Sequence, residues 1–486
     1  MSELLKHLSS IYEYRDFLSL NKDQLDPSQL RLLKKKPYCT ALHKLWKLDP
    51  GLASDTIFAM YSSTGRPARD PAVLIRSFLL MLHMGYLSID NWCDQLQSNT
   101  LLQYLTGSFD PPCAASHYDF INRFTRTDPH LSELHPKTFF KKPDKLPADG
   151  EKLINFTKED TYSLADKYKN GAECDHDRYL YPLQLLFNQL AVIPSMDMGF
   201  IDQKNLILSG DGSSLHIHAS KYGHKVIKDG KDDDNIYRYS APDADVGWDS
   251  DLNVPYLGFT FYSIAYHNKA MKTDLPVFID QEKASRHDAL NCISSSARML
   301  DINPDLRPKY MCLDSASDAN AIYQFYQHNH IIPVIDHNQR RDKNKKVIPE
   351  TEHLDSDGTP ICSNGTRMTY AGYDNKRFRK KYRCPLVTGK IDHCPFQDSC
   401  STSSYGRTVY VRDDASPPRN SGPLPYKSDH WVKIYKNRTC CERINTRVLN
   451  DYHLHQMRIR NGSKHAFFAI FAGISIHLDA WIKMDQ

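Results

Sequence analysis

The feature that most constrains the fold of this 486-residue chain is the order in which its hydrophobic period changes between residues 205 and 335. Residues 205–209 are an apolar, β-prone run that leads into Asp211, and Leu215, His216 and Ile217 continue the alternation. Residues 259–266 alternate as a second strand, and residues 276–279 read as a third. Helical spacing follows over 286–300, then a buried strand over 310–313. A helix over 319–328 has Ile322, Phe325 and Tyr326 on one face, and residues 331–335 close the series as a strand. Crossovers between parallel strands are right-handed, so this order lays the Asp314 strand beside the Asp211 strand in one mixed sheet. The expected class is α/β.

Strand, strand, strand, helix, strand, helix, strand is a ribonuclease-H-like arrangement, and its acids are placed to bind metal. Asp211 and Asp314 each follow a buried apolar run. Adjacent strands lie about 4.8 Å apart, so carboxylates at matching ends can share ions. Asp280 and Asp336 also end strands, but outer ones. A third acid comes from the run 435–442, where steps of three and four put Tyr435, Arg438 and Glu442 on one helix face. In phosphodiester cleavage two Mg²⁺ ions, for which Mn²⁺ can substitute, are held by carboxylate oxygens. They activate water or a 3′-hydroxyl and stabilise the leaving oxygen. Asp211, Asp314 and Glu442 are thus the candidate catalytic residues and metal ligands. Arg438 would clamp a phosphate with its planar fork and Tyr435 would bond a backbone oxygen. The plainer reading of those two is an intrahelical pair beside a core aromatic.

The length implies two to four domains. Residues 1–140 read as helical: Asp70 before Pro71 is a helix start, followed by Val73, Leu74, Phe78, Leu79, Leu82 and His83 at helical spacing. Residues 88–106 read as a helix pair that would suit a helix-turn-helix module, although a plain bundle gives the same pattern. A polar, Pro- and Lys-rich stretch at 137–152 marks a boundary. The core occupies 141–340 and resumes at 410–486, with an insertion at 341–409 between. That insertion carries Lys376, Arg377, Arg379, Lys380, Lys381 and Arg383, interleaved with Phe378 and Tyr382. Such a cluster suits a DNA backbone, with aromatics available for stacking, or else a charged strand edge. It also holds Cys362, Cys384, Cys394 and Cys400, and His393 is the alternative to one of them. Four thiolates can hold Zn²⁺, but no pair here has the two-to-four-residue spacing of strong zinc motifs, and small buried residues are the alternative.

Composition limits the partners less. A net charge of +4 does not by itself imply nucleic acid, so basic character must be local. The amino terminus lacks a basic-then-apolar export pattern, and the apolar stretch 466–476 is too short to span a bilayer. A cytoplasmic protein without membrane attachment and with reduced thiols is expected.

These residues together resemble the bacterial insertion-sequence DDE transposases, in the branch with a Tyr-x2-Arg-x3-Glu signature on the catalytic helix, here Tyr435, Arg438 and Glu442. Ser209-Gly-Asp211-Gly-Ser-Ser resembles the first-aspartate motif, and Cys312-Leu-Asp314-Ser-Ala-Ser-Asp318 the second, with Asp318 as rival to Asp314. The motif from Gly65 to Pro71, Tyr405-Gly-Arg407 and the closing segment from His477 to Trp481 are similar to family segments too. One departure is Leu449, where the branch usually has a lysine; Arg443 and Arg447 lie off the Glu442 face. The resemblance implies binding to terminal inverted repeats, cleavage at the element ends and joining of 3′ ends to target DNA by a homodimer. A DNA-binding descendant without catalysis, or a ribonuclease-H-like nuclease, are the alternatives.

Overall fold

A computed structural model of the protein describes residues 7–62, 68–125, 158–171, 180–220, 222–228, 231–241, 243–338, 354–401, 403–414 and 416–484. The expected boundary at 137–152, the start of the insertion at 341–353 and the first three residues of the motif at 65–71 lie outside the described residues.

The amino-terminal part is helical: α1 (Ile11–Leu20), α2 (Pro27–Leu33), α3 (Tyr38–Lys47), α4 (Ser54–Ala59), α5 (Pro71–His83), α6 (Ile89–Ser98), α7 (Thr100–Thr106) and α8 (Ala114–Thr125). Helix starts are capped as the sequence suggests. Asp70 accepts from the Ala72 N–H with Pro71 behind it, Ser88 caps α6, and Asn99 caps α7. Gly107 ends α7 at φ +84°, a left-handed position that a side chain would strain. Three further helices, α9 (Lys158–Lys169), α10 (Leu180–Phe187) and α11 (Ile193–Asp197), lead to the sheet.

The sheet strands are β1 (Ile207–His216), β4 (Asp245–Asp249), β5 (Val254–Asn268), β6 (Thr273–Lys283), β7 (Tyr310–Leu313) and β8 (Ile332–Ile335), while β2 (His224–Lys228) and β3 (Lys231–Arg238) form a separate hairpin. The order is β4-β5-β1-β7-β8, with β6 also on β5. β1 runs antiparallel to β5 and parallel to β7, and β7 is parallel to β8. The Asp211 and Asp314 strands are therefore neighbours. The sequence reading missed β2, β3 and β4 because their charged, glycine-containing segments lack an apolar alternation. It also shortened β5 and β6 at both ends.

Helices α12 (Asp288–Ile302) and α13 (Asn320–His328) join the later strands. The 435–442 run is not one α-helix. It is the end of α15 (Asp429–Tyr435), a 3₁₀ turn (Lys436–Arg438) and the start of α16 (Thr439–Thr446). α16 packs on β1, β5 and β6. The last helix, α17 (Gly462–Lys483), lies between β6 on one side and α3, α5, α8 and α10 on the other. Phe78 of α5 meets Phe467 and Phe471 of α17 edge-on at 4.8 and 5.5 Å. Each such contact adds about 0.5–1.5 kcal/mol beyond area burial, so the amino-terminal helices and the sheet share one core. By length and composition α17 could cross a membrane, but 94% of its apolar window is buried within the protein, the behaviour of a core helix.

The described part of the insertion is a three-stranded sheet, β9 (Thr369–Asp374), β10 (Arg379–Arg383) and β11 (Thr408–Arg412), in the order β11-β10-β9, with the short helix α14 (Gln397–Cys400). Arg419, beyond this sheet, pairs with Asp318 of the main core at 3.5 Å.

Candidate active site

Asp211 lies on β1 between two glycines whose absent side chains make room. A Cβ at Gly210 would stand 2.4 Å from the Tyr262 hydroxyl, and one at Gly212 would stand 2.3 Å from Asp288 Oδ1. Register fixes the second acid: Ser209 is paired with Cys312, so Asp211 is level with Asp314 just past the end of β7. The third acid comes from α16. Arg438 bonds Glu442 one helical turn on and reaches Asp211 Oδ1 at 3.7 Å. From the same helix Asn445 donates to Asp211 at 3.4 Å and accepts from Ser263 of β5 at 2.6 Å. Ser263 is the residue paired with Asp211 across the strands, so this polar chain ties α16 to the sheet at the acid.

These groups act on one another's charge. Burial, then the Asp288 charge, push the Asp211 carboxyl up to about 8; Arg438 opposes this, and Asp314 and Glu442 add to it. Asp288 is itself pushed up to about 6, first by burial and then by Asp314. Burial works against the Arg438 charge, but Asp211 and then Glu442 outweigh it and raise its pKa. One guanidinium thus serves several crowded acids. Asp288 is the residue that sequence reasoning missed. It opens α12 directly after His287, the helix cap, and an acid at a helix start looks like a capping residue.

The rival acids have structural partners. Asp280, 1% exposed, accepts from Arg298 at 2.5 Å and Ser295 at 2.8 Å. Asp336 accepts from the Tyr426 hydroxyl at 2.6 Å, and Asp318 from the Asn338 N–H at 2.9 Å as well as from Arg419. Tyr435 stacks on Trp431 at 4.5 Å. Leu449 is 3% exposed in the core, and neither nearby arginine replaces a lysine there: Arg443 pairs with Asp274 at 2.6 Å and Arg447 with Asp479 at 2.8 Å.

Among the described residues no three His, Cys, Asp or Glu side chains converge as a ready-made metal site. The donor chemistry nonetheless fits a hard cation. The acids offer only carboxylate oxygens, they repel one another, and the positive charge between Asp211 and Glu442 is at present a side chain.

The basic cluster divides in two. Lys376, Arg377 and Phe378 are exposed at the β9–β10 turn. Arg379 lies over the Tyr410 ring at 4.0 Å, and Lys381 and Arg383 lie over Tyr405 at 4.7 and 3.5 Å, forming a cationic and aromatic ladder on one face. Strand alternation turns the other residues inward. Tyr382 is 1% exposed and unavailable for stacking, and Lys380 bonds the Asn420 carbonyl, with burial pulling its pKa down to about 8. Nor is this a strand edge, since β10 is central. The outward face of α6 carries Asp90, Asn91, Asp94 and Gln95 but no cation. Exposed Arg31, Lys34, Lys35 and Lys36 are the amino-terminal basic group, which sequence reasoning passed over. Cys362, Cys384, Cys394 and Cys400 are half-buried free thiols around one cavity, and His393 is exposed.

Residues 32–127, from the end of α2 to the end of α8, match the family model described as a transposase domain, DUF772. The match covers the helices that resembled a transposase amino-terminal region, and none of the four acids. It supports a transposase. No curated protein matches the chain.

Proposed function

We propose that the chain is a DNA transposase of the DDE type, with Asp211, Asp314 and Glu442 as the acids that hold Mg²⁺. The observation that carries this reading is the convergence of strand-borne and helix-borne acids on Arg438, next to a helical region that matches a transposase domain. The strand order of the mixed sheet supports a ribonuclease-H-like core. When bound, the metal would supply Lewis-acid activation of the attacking oxygen and stabilisation of the leaving one.

The chain's own residues do the rest. Asn445, held by Ser263, orients Asp211. Arg438 exchanges its carboxylate partners for a DNA phosphate, which its planar fork binds bidentately. Tyr435, stacked on Trp431, lines the approach and bonds the DNA backbone. Arg379, Lys381 and Arg383, with Lys376 and Arg377 at the adjoining turn, neutralise flanking phosphates. The amino-terminal helices recognise the terminal inverted repeats, two chains pair to bring two ends together, and the freed 3′ ends are joined to target DNA in the cytoplasm.

The test is a strand-cleavage and joining assay on the gene's flanking DNA with Mg²⁺. Asp314→Asn should lose cleavage by at least a hundredfold while keeping end binding, since each acid contributes several kcal/mol of transition-state charge stabilisation. Cleavage retained by the variant removes Asp314 from the site. Specific end binding without cleavage by the wild type would instead identify a DNA-binding descendant, consistent with the loss of the lysine at Leu449.

A further inference from the structure

The insertion has too little core for its size. Over residues 354–414 its buried apolar cluster is Met368, Tyr382 and Val411, with Leu354, Cys362, Tyr370 and Val409 partly buried around them, and Pro360 and Pro385 are the other buried apolar side chains. Small units with so few buried side chains are held by disulfides or a structural metal, because burial alone does not offset the ordering of the chain.

The same unit holds four free, half-buried thiols that reach one place from separate loops. Cys362 begins a turn closed by the Gly365 N–H donating to its carbonyl at 2.8 Å, and the Cys384 N–H, just past β10, donates to the Arg407 carbonyl at 2.9 Å. Cys400 ends α14 and Cys394 precedes it. All four line a single cavity of about 520 Å³. Gly406 keeps its wall thin: at φ +75°, a Cβ there would stand 2.9 Å from that of Cys384. The cavity also leaves Val387 and Phe396 41% and 43% exposed.

Other cysteines of this chain show what a packing thiol looks like. Cys292, Cys312 and Cys441 are buried and donate to backbone carbonyls at 3.3, 3.6 and 2.7 Å. Among the described residues, no hydrogen bond from the four insertion thiols is found.

We propose that Cys362, Cys384, Cys394 and Cys400 form a structural Zn²⁺ site that closes this cavity and completes the fold of the insertion. As placed, no three of them share one coordination sphere, so loading draws their loops together. Zn²⁺ replaces the thiol protons, which leave to solvent, and four sulfurs fill its tetrahedral shell. This inference does not rest on the transposase reading, because its readout is metal and not DNA.

The full chain, purified under reductant and reconstituted with Zn²⁺, is assayed by elemental analysis, with alkylation and mass spectrometry to count free thiols. About one zinc per chain is expected, as a four-ligand site requires. Cys384→Ser and Cys394→Ser should lose it, Co²⁺ should give the absorption of a tetrahedral thiolate complex, and chelation should expose the insertion to protease before the rest of the chain. Four alkylatable thiols with no zinc retained, or two disulfides in protein prepared without reductant, would overturn the proposal. If the serine variants fail to fold, the stoichiometry and Co²⁺ spectrum of the wild type decide it.

Discussion

Removing the Asp211 charge should stabilise the metal-free protein, in a direction fixed by pH. Burial and the neighbouring acids raise its pKa from 3.8 to about 8. Between those values the folded chain retains a proton that the unfolded chain has released, so stability falls as pH rises through that window. The shift sets a ceiling of about 5 kcal/mol at pH 8. Neighbouring acids share the repulsion by taking up protons of their own, so about 2 kcal/mol is the gain expected for Asp211→Asn, a few degrees in Tm. Asparagine keeps the shape and a hydrogen-bonding oxygen for Asn445. The assay is unfolding in chelator at pH 5 and pH 8, with the advantage shrinking to less than about 1 kcal/mol at pH 5. Mg²⁺ should then raise the wild type more than the variant. Equal stability at pH 8, or an advantage that grows toward pH 5, would refute the argument from charge crowding.

Arg298→Met should cost about 3–5 kcal/mol, because it strands Asp280 and Glu282, which accept from Arg298 at 2.5 and 3.0 Å; denaturant unfolding without that loss would reopen Asp280 as a functional acid. Lys381→Ala and Arg383→Ala should each lower the salt dependence of DNA binding by about one counterion, whereas Lys380→Ala should leave the slope unchanged and lower Tm. Titrations at several salt concentrations separate the two outcomes. Gly258→Ala should give little soluble protein, since its Cβ would lie 2.0 Å from the Leu215 carbonyl across the strand pair, at or above the upper end of the roughly 1–3 kcal/mol of ordinary overpacking. Wild-type yield and Tm would show that the strands can separate there.

The parts of this fold that were legible in the sequence are those whose signal is local. Apolar runs ending at Asp211 and Asp314 announced two buried strands, and Arg438 four residues before Glu442 announced their pairing. Asp288 was illegible because its position over Gly212 is set by where β6 delivers the chain, which no spacing encodes. The basic cluster was legible as composition but not as surface: alternation along β10 decides that Lys381 faces out while Lys380 turns in, and that depends on which side the small core lies. The segment 466–476 looked like an isolated apolar stretch, but the helix runs on through His477, whose ring bonds Ser195 at 2.7 Å and the Pro276 carbonyl at 2.7 Å. Polar residues within an apolar helix concealed its full length.

That helix has a consequence for how the protein comes into being. α17 is the filling between the amino-terminal helices and β6, yet it is made after the elements it joins. During synthesis the apolar faces of α3, α5 and α10 must wait on the ribosome without their main partner, exposed to chaperones and to one another. Contacts of such long sequence separation form slowly. A chain stopped before Gly462 would carry Asp211, Asp288, Asp314, Glu442 and the basic residues of the insertion and still lack the helix that joins its two layers, so competence waits on the synthesis of α17.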